Sequence, residues 1–228
     1  MTILDDLANK YACDKGTKIP NDGKHHGPRL HFTTVYHKYF DNLRKNNLNI
    51  LEIGIGSGPS LKLWHDYFEK AQIHAIDINN CKLYENERTH TYIADQSNKN
   101  ELINIANKIG KFDIIIDDGG HMMRQQQISL ATLFKYINSG GLYFIEDLHT
   151  SFWEPGRILY DNTIDINEKR SNTTFKMLKD FIDTGVLSSE FMNAEEIDYL
   201  NNNIDYVKLF DLPDTDYGPN KLGLLVAK

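Results

Sequence analysis

Cysteine is scarce in this chain of 228 residues. Cys13 and Cys81 permit at most one disulfide and exclude a cysteine-rich metal site. Basic charge is in the minority, with Lys+Arg at 25 against Asp+Glu at 32 and a formal net charge of -7, which counts against a nucleic-acid partner. No apolar run approaches the roughly 20 residues needed to span a bilayer. The opening MTILDDLANK is acidic early, and no signal peptide is read there. Internal repeats, low-complexity segments and the GxxxxGK[ST] phosphate loop are also missing. The expectation is a soluble cytoplasmic enzyme with no membrane insertion.

What is present is ordinary globular material: 40% hydrophobic, 25% charged and 11% aromatic. The length fits one large domain, and a chain of this size buries roughly 70% of its unfolded surface. Residues 1–48 read as a helical and loop cap, interrupted by the polar stretch DKGTKIPNDGKHHGP from Asp14 to Pro28. From residue 49 short apolar runs alternate with helical stretches. The runs are NILEIGI (49–55), IHAIDI (73–78), TYIAD (91–95), FDIIID (112–117) and GLYFIE (141–146). The helical stretches are SLKLWHDYFEK, NKNELINIANKIG and MRQQQISLATLFKYINSG. This alternation predicts an α/β fold with a mostly parallel sheet covered by helices on both faces. IDYVKLFD (204–211) and LGLLVAK (222–228) predict a closing antiparallel hairpin, for seven strands in all. A segment at about 148–190, with a helix around TTFKMLKDFIDTG, is expected as a lid or acceptor insertion, while Asn201 to Asn203 read as loop. Right-handed crossovers place the C-terminal ends of parallel strands on one edge, where ligands bind.

Three strand ends carry a cofactor signature. Glu52-Ile-Gly54-Ile-Gly56-Ser-Gly58-Pro59-Ser60 leaves a strand and opens a helix. Its glycines allow a tight turn and close approach of a ligand, and Pro59 suits the first helical turn. The third glycine of a dinucleotide GxGxxG would fall on Pro59, so a pyrophosphate is poorly matched. The pattern E-x-G-x-G-x-G instead resembles the first motif of S-adenosylmethionine (SAM) methyltransferases. Asp77 ends the next strand, where an acid accepts hydrogen bonds from ribose hydroxyls, with Ile78 beside it. Asp95 and Gln96 end the following one, a place to read an adenine edge; Asp95 also suits a helix cap.

The fourth and fifth strands end in Asp117-Asp118-Gly119-Gly120-His121 and Glu146-Asp147-Leu148-His149. Carboxylates converging this closely need a proton or cation between them. Oxygen-rich donors favour Mg²⁺, Mn²⁺ or Ca²⁺ over Zn²⁺. Histidine as a residue type can take a proton from an alcohol, so His121 suits a general base, with His149 a second candidate. His25 and His26 read as solvated loop residues.

Together DKGT (14–17), LEIGIGSG (51–58), AIDI (75–78), ADQS (94–97), IIDDGGH (115–121) and GGLYFIEDLHTSFW (140–153) resemble a known family. It comprises the metal-dependent SAM O-methyltransferases that methylate sugar hydroxyls on macrolide antibiotics, the mycinamicin type, with related enzymes of bacterial surface polysaccharide. The resemblance implies a Rossmann-like class I methyltransferase domain over 49–228, SAM as donor with S-adenosylhomocysteine (SAH) as product, and Mg²⁺. It assigns Asp118, Glu146 and Asp147 to the metal, His121 to the base beside Asp118, and Lys15, Gly16 and Thr17 to the SAM amino-acid moiety or the substrate. The cofactor set is then Lys15, Thr17, Glu52, Gly54, Gly56, Gly58, Ser60, Asp77, Ile78, Asp95, Gln96 and Asp117. His149, Phe152, Trp153, Arg157 and Tyr160 are candidates to touch a small-molecule or glycan acceptor. A homodimer is the expectation from class habit. Other acceptors consistent with the residues are an aromatic diol or a capsule phosphoramidate or phosphate oxygen. A non-catalytic SAM-binding protein and a nicotinamide-dependent oxidoreductase are the rivals of other classes.

Overall fold

Apolar runs with little alternation become the central strands, β1 (Asn49–Ile53) and β4 (Phe112–Asp117), buried on both faces. The structure is a computed structural model that describes residues 2–18, 29–152, 173–214 and 220–228. Around that centre lie β2 (Gln72–Asp77), β3 (Thr89–Ile93), β5 (Ile137–Ile145), β6 (Ile204–Asp211) and β7 (Lys221–Ala227). They form one seven-stranded sheet in the order β3-β2-β1-β4-β5-β7-β6. β1 to β5 pair in parallel, while β7 runs antiparallel to both β5 and β6. The strand order reverses between β1 and β4, which makes their C-terminal ends the switch point where such sheets bind ligands.

Helices cover both faces. Leu4 and Ala8 of α1 (Ile3–Lys10), Tyr36 and Phe40 of α2 (Thr33–Phe40) and Trp64 of α3 (Pro59–Tyr67) share one core with Ile50, Ile114, Ile116 and Phe144. The N-terminal segment is therefore a layer of the domain's own core. On the other face lie α4 (Lys99–Ile109), α5 (Met123–Leu133), α6 (Thr174–Thr184) and α7 (Ala194–Asn203), with Leu51, Ile53, Ile115, Tyr143 and Ile145. Each helix has a local cause. α4 starts on Asn98, whose side chain accepts from the amides of Asn100 and Glu101. α6 starts on Thr173 and stops at the left-handed Gly185.

Several elements depart from expectation. The fifth strand begins earlier, at Ile137, because Ile137 pairs with Phe112; α5 therefore ends at Leu133, before a short 3-10 turn at Phe134–Tyr136. β3 lies two residues upstream of the expected run, at Thr89–Ile93. Of the segment at about 148–190 expected as a lid or acceptor insertion, residues 153–172 lie outside the described residues, and α6 has Met177, Leu178 and Phe181 buried in the sheet-covering core. α7 was not anticipated, although Asn193 and Glu196 form a reciprocal capping box at its start. Asn201 to Asn203 are its last turn, where Asn201 exchanges two hydrogen bonds with the backbone of Leu187. Both cysteines are free and buried. No helix among the described residues is long and apolar enough to cross a membrane.

Candidate active site

The glycine loop is shaped by contact with the neighbouring strand end. Gly54 has φ 89°, and a Cβ there would lie 2.0 Å from the Asp118 carbonyl oxygen. Gly58 takes the left-handed conformation as the cap of α3, with Pro59 as the first helical residue, and its Cα faces the Tyr84 ring. Asp77 holds the loop from the side. Its Oδ2 accepts from the Ile55 amide at 2.9 Å and the Gly56 amide at 3.4 Å, and its Oδ1 accepts from Asn79. Ile78 beside it is 70% exposed.

Side chains alternate across a strand, so neighbouring acids at a strand end point to opposite faces. Glu52, Asp118 and Glu146 share the face covered by α1, α2 and α3, and all three converge on one ammonium. Lys15 Nζ donates to Glu146 Oε2 at 2.7 Å and to Asp118 Oδ2, and lies 3.9 Å from Glu52 Oε1. Lys15 is 1% exposed, and Glu52 and Glu146 are fully buried. The loop that carries it is tied down by amide bonds from Leu30, His31 and Thr33 to the carbonyls of Asp14, Gly16 and Lys15. The second oxygen of Glu146 accepts from the Tyr36 hydroxyl, and Glu52 accepts from Ser60 at 2.8 Å. Burial pushes Glu52 up to about 7 and holds Glu146 well above the usual carboxylate range, reinforced there by Asp118. Burial alone would lower the Lys15 pKa, but the surrounding acids outweigh it and hold it well above its ordinary value.

Beside this ion cluster Asp118, His121 and Asp147 form a second grouping. One donor atom from each lies within 4.8 Å of the others. His121 Nε2 is 3.4 Å from Asp147 Oδ2, and His149 Nδ1 is 3.7 Å from Asp147 Oδ1. Asp147 Oδ1 and His121 Nδ1 are buried with no hydrogen-bond partner among the described residues. Burial pushes Asp147 up to about 6. Both His121 (φ 58°) and Asp147 (φ 53°) are left-handed, a conformation costing non-glycine residues about 1–3 kcal/mol each and concentrated at functional sites. Two carboxylates and an imidazole with unsatisfied atoms fit a hard divalent cation that retains waters. The grouping opens on a cleft of about 650 Å³, lined also by Asp14, Lys15, Arg29, Gly54, Gly56 and Ser60.

Other expected residues are placed elsewhere. Asp117 points to the opposite face, fully buried, where it accepts from Gln96 Nε2 at 2.7 Å and from Ser129. Gln96 accepts the Gly120 amide at 2.8 Å, so the Gln96–Asp117 pair braces the loop before His121 and does not face the cleft. Thr17 is turned to Asp5 of α1, bonding it through both amide and hydroxyl. Asp95 accepts from Ser97 in a local turn. Glu146, expected on the metal with Asp118 and Asp147, is held by Lys15 and Tyr36 and lies outside the three-residue grouping. Phe152 is 45% exposed and packs against Phe175, with ring centroids 4.9 Å apart and planes tilted by 57°. Trp153, Arg157, Tyr160, His25 and His26 lie outside the described residues. Tyr36 was not foreseen, and neither was the ion-pairing role of Lys15. The matching strand parity of Glu52, Asp118 and Glu146 was the available signal, since three acids on one face require a cation.

The fold is that of a class I methyltransferase. The relatives of the chain are macrolide and tetracenomycin sugar O-methyltransferases, at 31–38% identity. The chain is 36% identical over 138 residues to the 8-demethyl-8-alpha-L-rhamnosyl tetracenomycin-C 2'-O-methyltransferase of Streptomyces olivaceus, covering 58% of this chain and 36% of that protein. It is 36% identical over 159 residues to the mycinamicin VI 2''-O-methyltransferase of Micromonospora griseorubida, covering 67% of this chain and 39% of that protein. Among solved structures, the MycE methyltransferase of the mycinamycin biosynthetic pathway in complex with Mg and SAH superposes with a TM-score of 0.73 at 26% identity, over 99% of this chain and 55% of that one. The chain thus spans half or less of the curated relatives' length. No family model matches it.

Proposed function

We propose that this chain is a SAM-dependent, divalent-metal-assisted O-methyltransferase whose acceptor is a hydroxyl of a sugar, on a glycosylated metabolite or a bacterial surface polysaccharide. The observation that carries this reading is the grouping of Asp118, His121 and Asp147, with buried unpartnered atoms, at the end of strands adjoining the glycine loop. The activities of the relatives support the acceptor class.

Asp118 and Asp147 would hold the ion. When bound, the ion lowers the pKa of an acceptor hydroxyl, and the sulfonium donor supplies the methyl group. The chain's own residues do the rest. The loop from Gly54 to Gly58 presents backbone to the donor, and Asp77 keeps that loop in place. Asp147 faces His121 Nε2 and orients the imidazole at the wall of the cleft, where it would take the acceptor's proton. Before the ion binds, Lys15 offsets part of the charge of the acids at this strand edge, bridging Asp118 and Glu146 with Glu52 beside it.

The deciding experiment pairs calorimetry with a turnover assay on sugar acceptors. SAH should bind with or without Mg²⁺, and methyl transfer should stop in excess EDTA and return with Mg²⁺. Undiminished turnover in EDTA would remove the metal from the reaction, and failure to bind SAH would sink the reading.

A further inference from the structure

Among the described residues Lys15 is the one buried cation in contact with the acid cluster, and the reaction proposed above gives it no chemical step. Its ammonium bridges Asp118 and Glu146, taking two carboxylate oxygens on adjacent strand ends as a small cation would. Asp118 belongs at once to this bridge and to the donor grouping with His121 and Asp147. One carboxylate shared between an ammonium and a divalent ion cannot serve both at full strength. Two like charges a few ångströms apart repel, and each draws on the same oxygen pair. Lys15 also lines the cleft, so its side chain has space to swing into when its anchor weakens. Its backbone carries the loop onto the segment that leads into α2, through the amides of Leu30, His31 and Thr33. Loosening the ammonium therefore loosens that seam.

We propose that Lys15 is a built-in competitor for the divalent ion: ion binding at Asp118 displaces the Lys15 ammonium from its bridge and releases the loop of residues 14–17 from the strand ends. This rests on the metal-dependent reading above and extends it. Linkage makes the antagonism reciprocal, so the ion weakens the hold of Lys15 as much as Lys15 weakens the ion. In the ion-free protein the loop is locked and the ammonium offsets part of the acid cluster's charge. The ion-loaded protein exchanges that lock for a mobile wall beside the cofactor loop.

Two measurements on the full chain test this. Free Mn²⁺, followed by electron paramagnetic resonance, gives the ion's affinity for the wild type and for Lys15→Met. The variant should bind about ten-fold tighter or more; equal or weaker binding overturns the proposal. Hydrogen exchange of the wild type gives the second arm and decides the matter if Lys15→Met does not fold. Peptides covering 11–18 and 29–36 should exchange faster on adding Mg²⁺, and unchanged or slower exchange overturns the proposal. Mn²⁺ that binds the wild type and Lys15→Met alike defeats only the competition. Mn²⁺ that binds neither defeats the metal-dependent reading with it.

Discussion

Gly54 and the carbonyl of Asp118 are in such close apposition that a methyl group on Gly54 would sit 2.0 Å from that oxygen. The tips of β1 and β4 can lie side by side only because one of them has no side chain at this point. A Gly54→Ala substitution must push the Asp118 backbone away and must also occupy φ 89°. The expected loss is about 3 kcal/mol, or roughly 6–12 °C in Tm for a chain of this size. SAH affinity should fall with it. Calorimetric melting together with SAH titration checks both, and a Tm within a degree of wild type contradicts the close approach.

Asp77 accepts from two amides of the glycine loop and twice from Asn79, so its four acceptor directions are filled before any ligand arrives. A ribose hydroxyl must replace the longest of these, the 3.4 Å contact from Gly56. Asp77→Asn retains one acceptor oxygen and should reduce SAH affinity about ten-fold, with a stability loss of about 1 kcal/mol. Isothermal titration and denaturant melts separate the two effects.

If His121 is the proton acceptor, His121→Ala should lower kcat by about 10²–10⁴ while SAH affinity stays within a factor of about two. The same change at His149 should act mainly on KM. A steady-state comparison of the two variants checks the assignment; a larger kcat loss at His149 transfers the role to that residue.

Burial holds Glu52 at about 7 and Asp147 at about 6, above their unfolded values. As pH rises the unfolded chain sheds these protons first. The stability they contribute is complete below about pH 4 and is lost progressively towards pH 7. A divalent ion needs the ionised acids and works in the opposite sense. The Mg²⁺-induced rise in Tm should therefore be small near pH 5 and grow through pH 6 to 7.5. A rise of constant size across that range contradicts the role given to Asp147.

His74, far along the sheet and stacked on His90, is held down at about 4 by burial. Its folded value lies below the unfolded one near 6.5, so stability is lost as pH falls from about 6.5 towards 4. His74→Gln should flatten that limb of the Tm profile relative to wild type. Parallel limbs in the two proteins would falsify it.

Strand identity is legible in β4, a nearly continuous apolar run with clear stops, and in the β-branched and aromatic residues of β6, and both match the expected residues. Which acid of a pair faces the cleft was harder. Asp117 and Asp118 are chemically alike, and only the register of β4 against β1 turns one to Ser129 and the other to Lys15. Gln96 looked like a reader of adenine because it ends a strand, yet a buried Asp117 within reach took its amide. The Lys15 bridge joins residues more than a hundred positions apart, and motif spacing carries no trace of such a contact. The capping box of Asn193 and Glu196 is the sequence signal for α7, masked by the asparagines that end the helix.

The strand that lies against β5 is β7, the most C-terminal in the chain, and its Gly223 pairs with Ile145 just ahead of Glu146 and Asp147. During synthesis β5 therefore leaves the ribosome with one flank bare and waits for β7, made about eighty residues later, to fill the slot beside β6. A bare flank of Leu, Tyr, Phe and Ile is a template for pairing with other nascent chains. The nascent domain's exposure to aggregation is set by how promptly β7 docks, so substitutions in β7 act on folding yield before they act on the reaction.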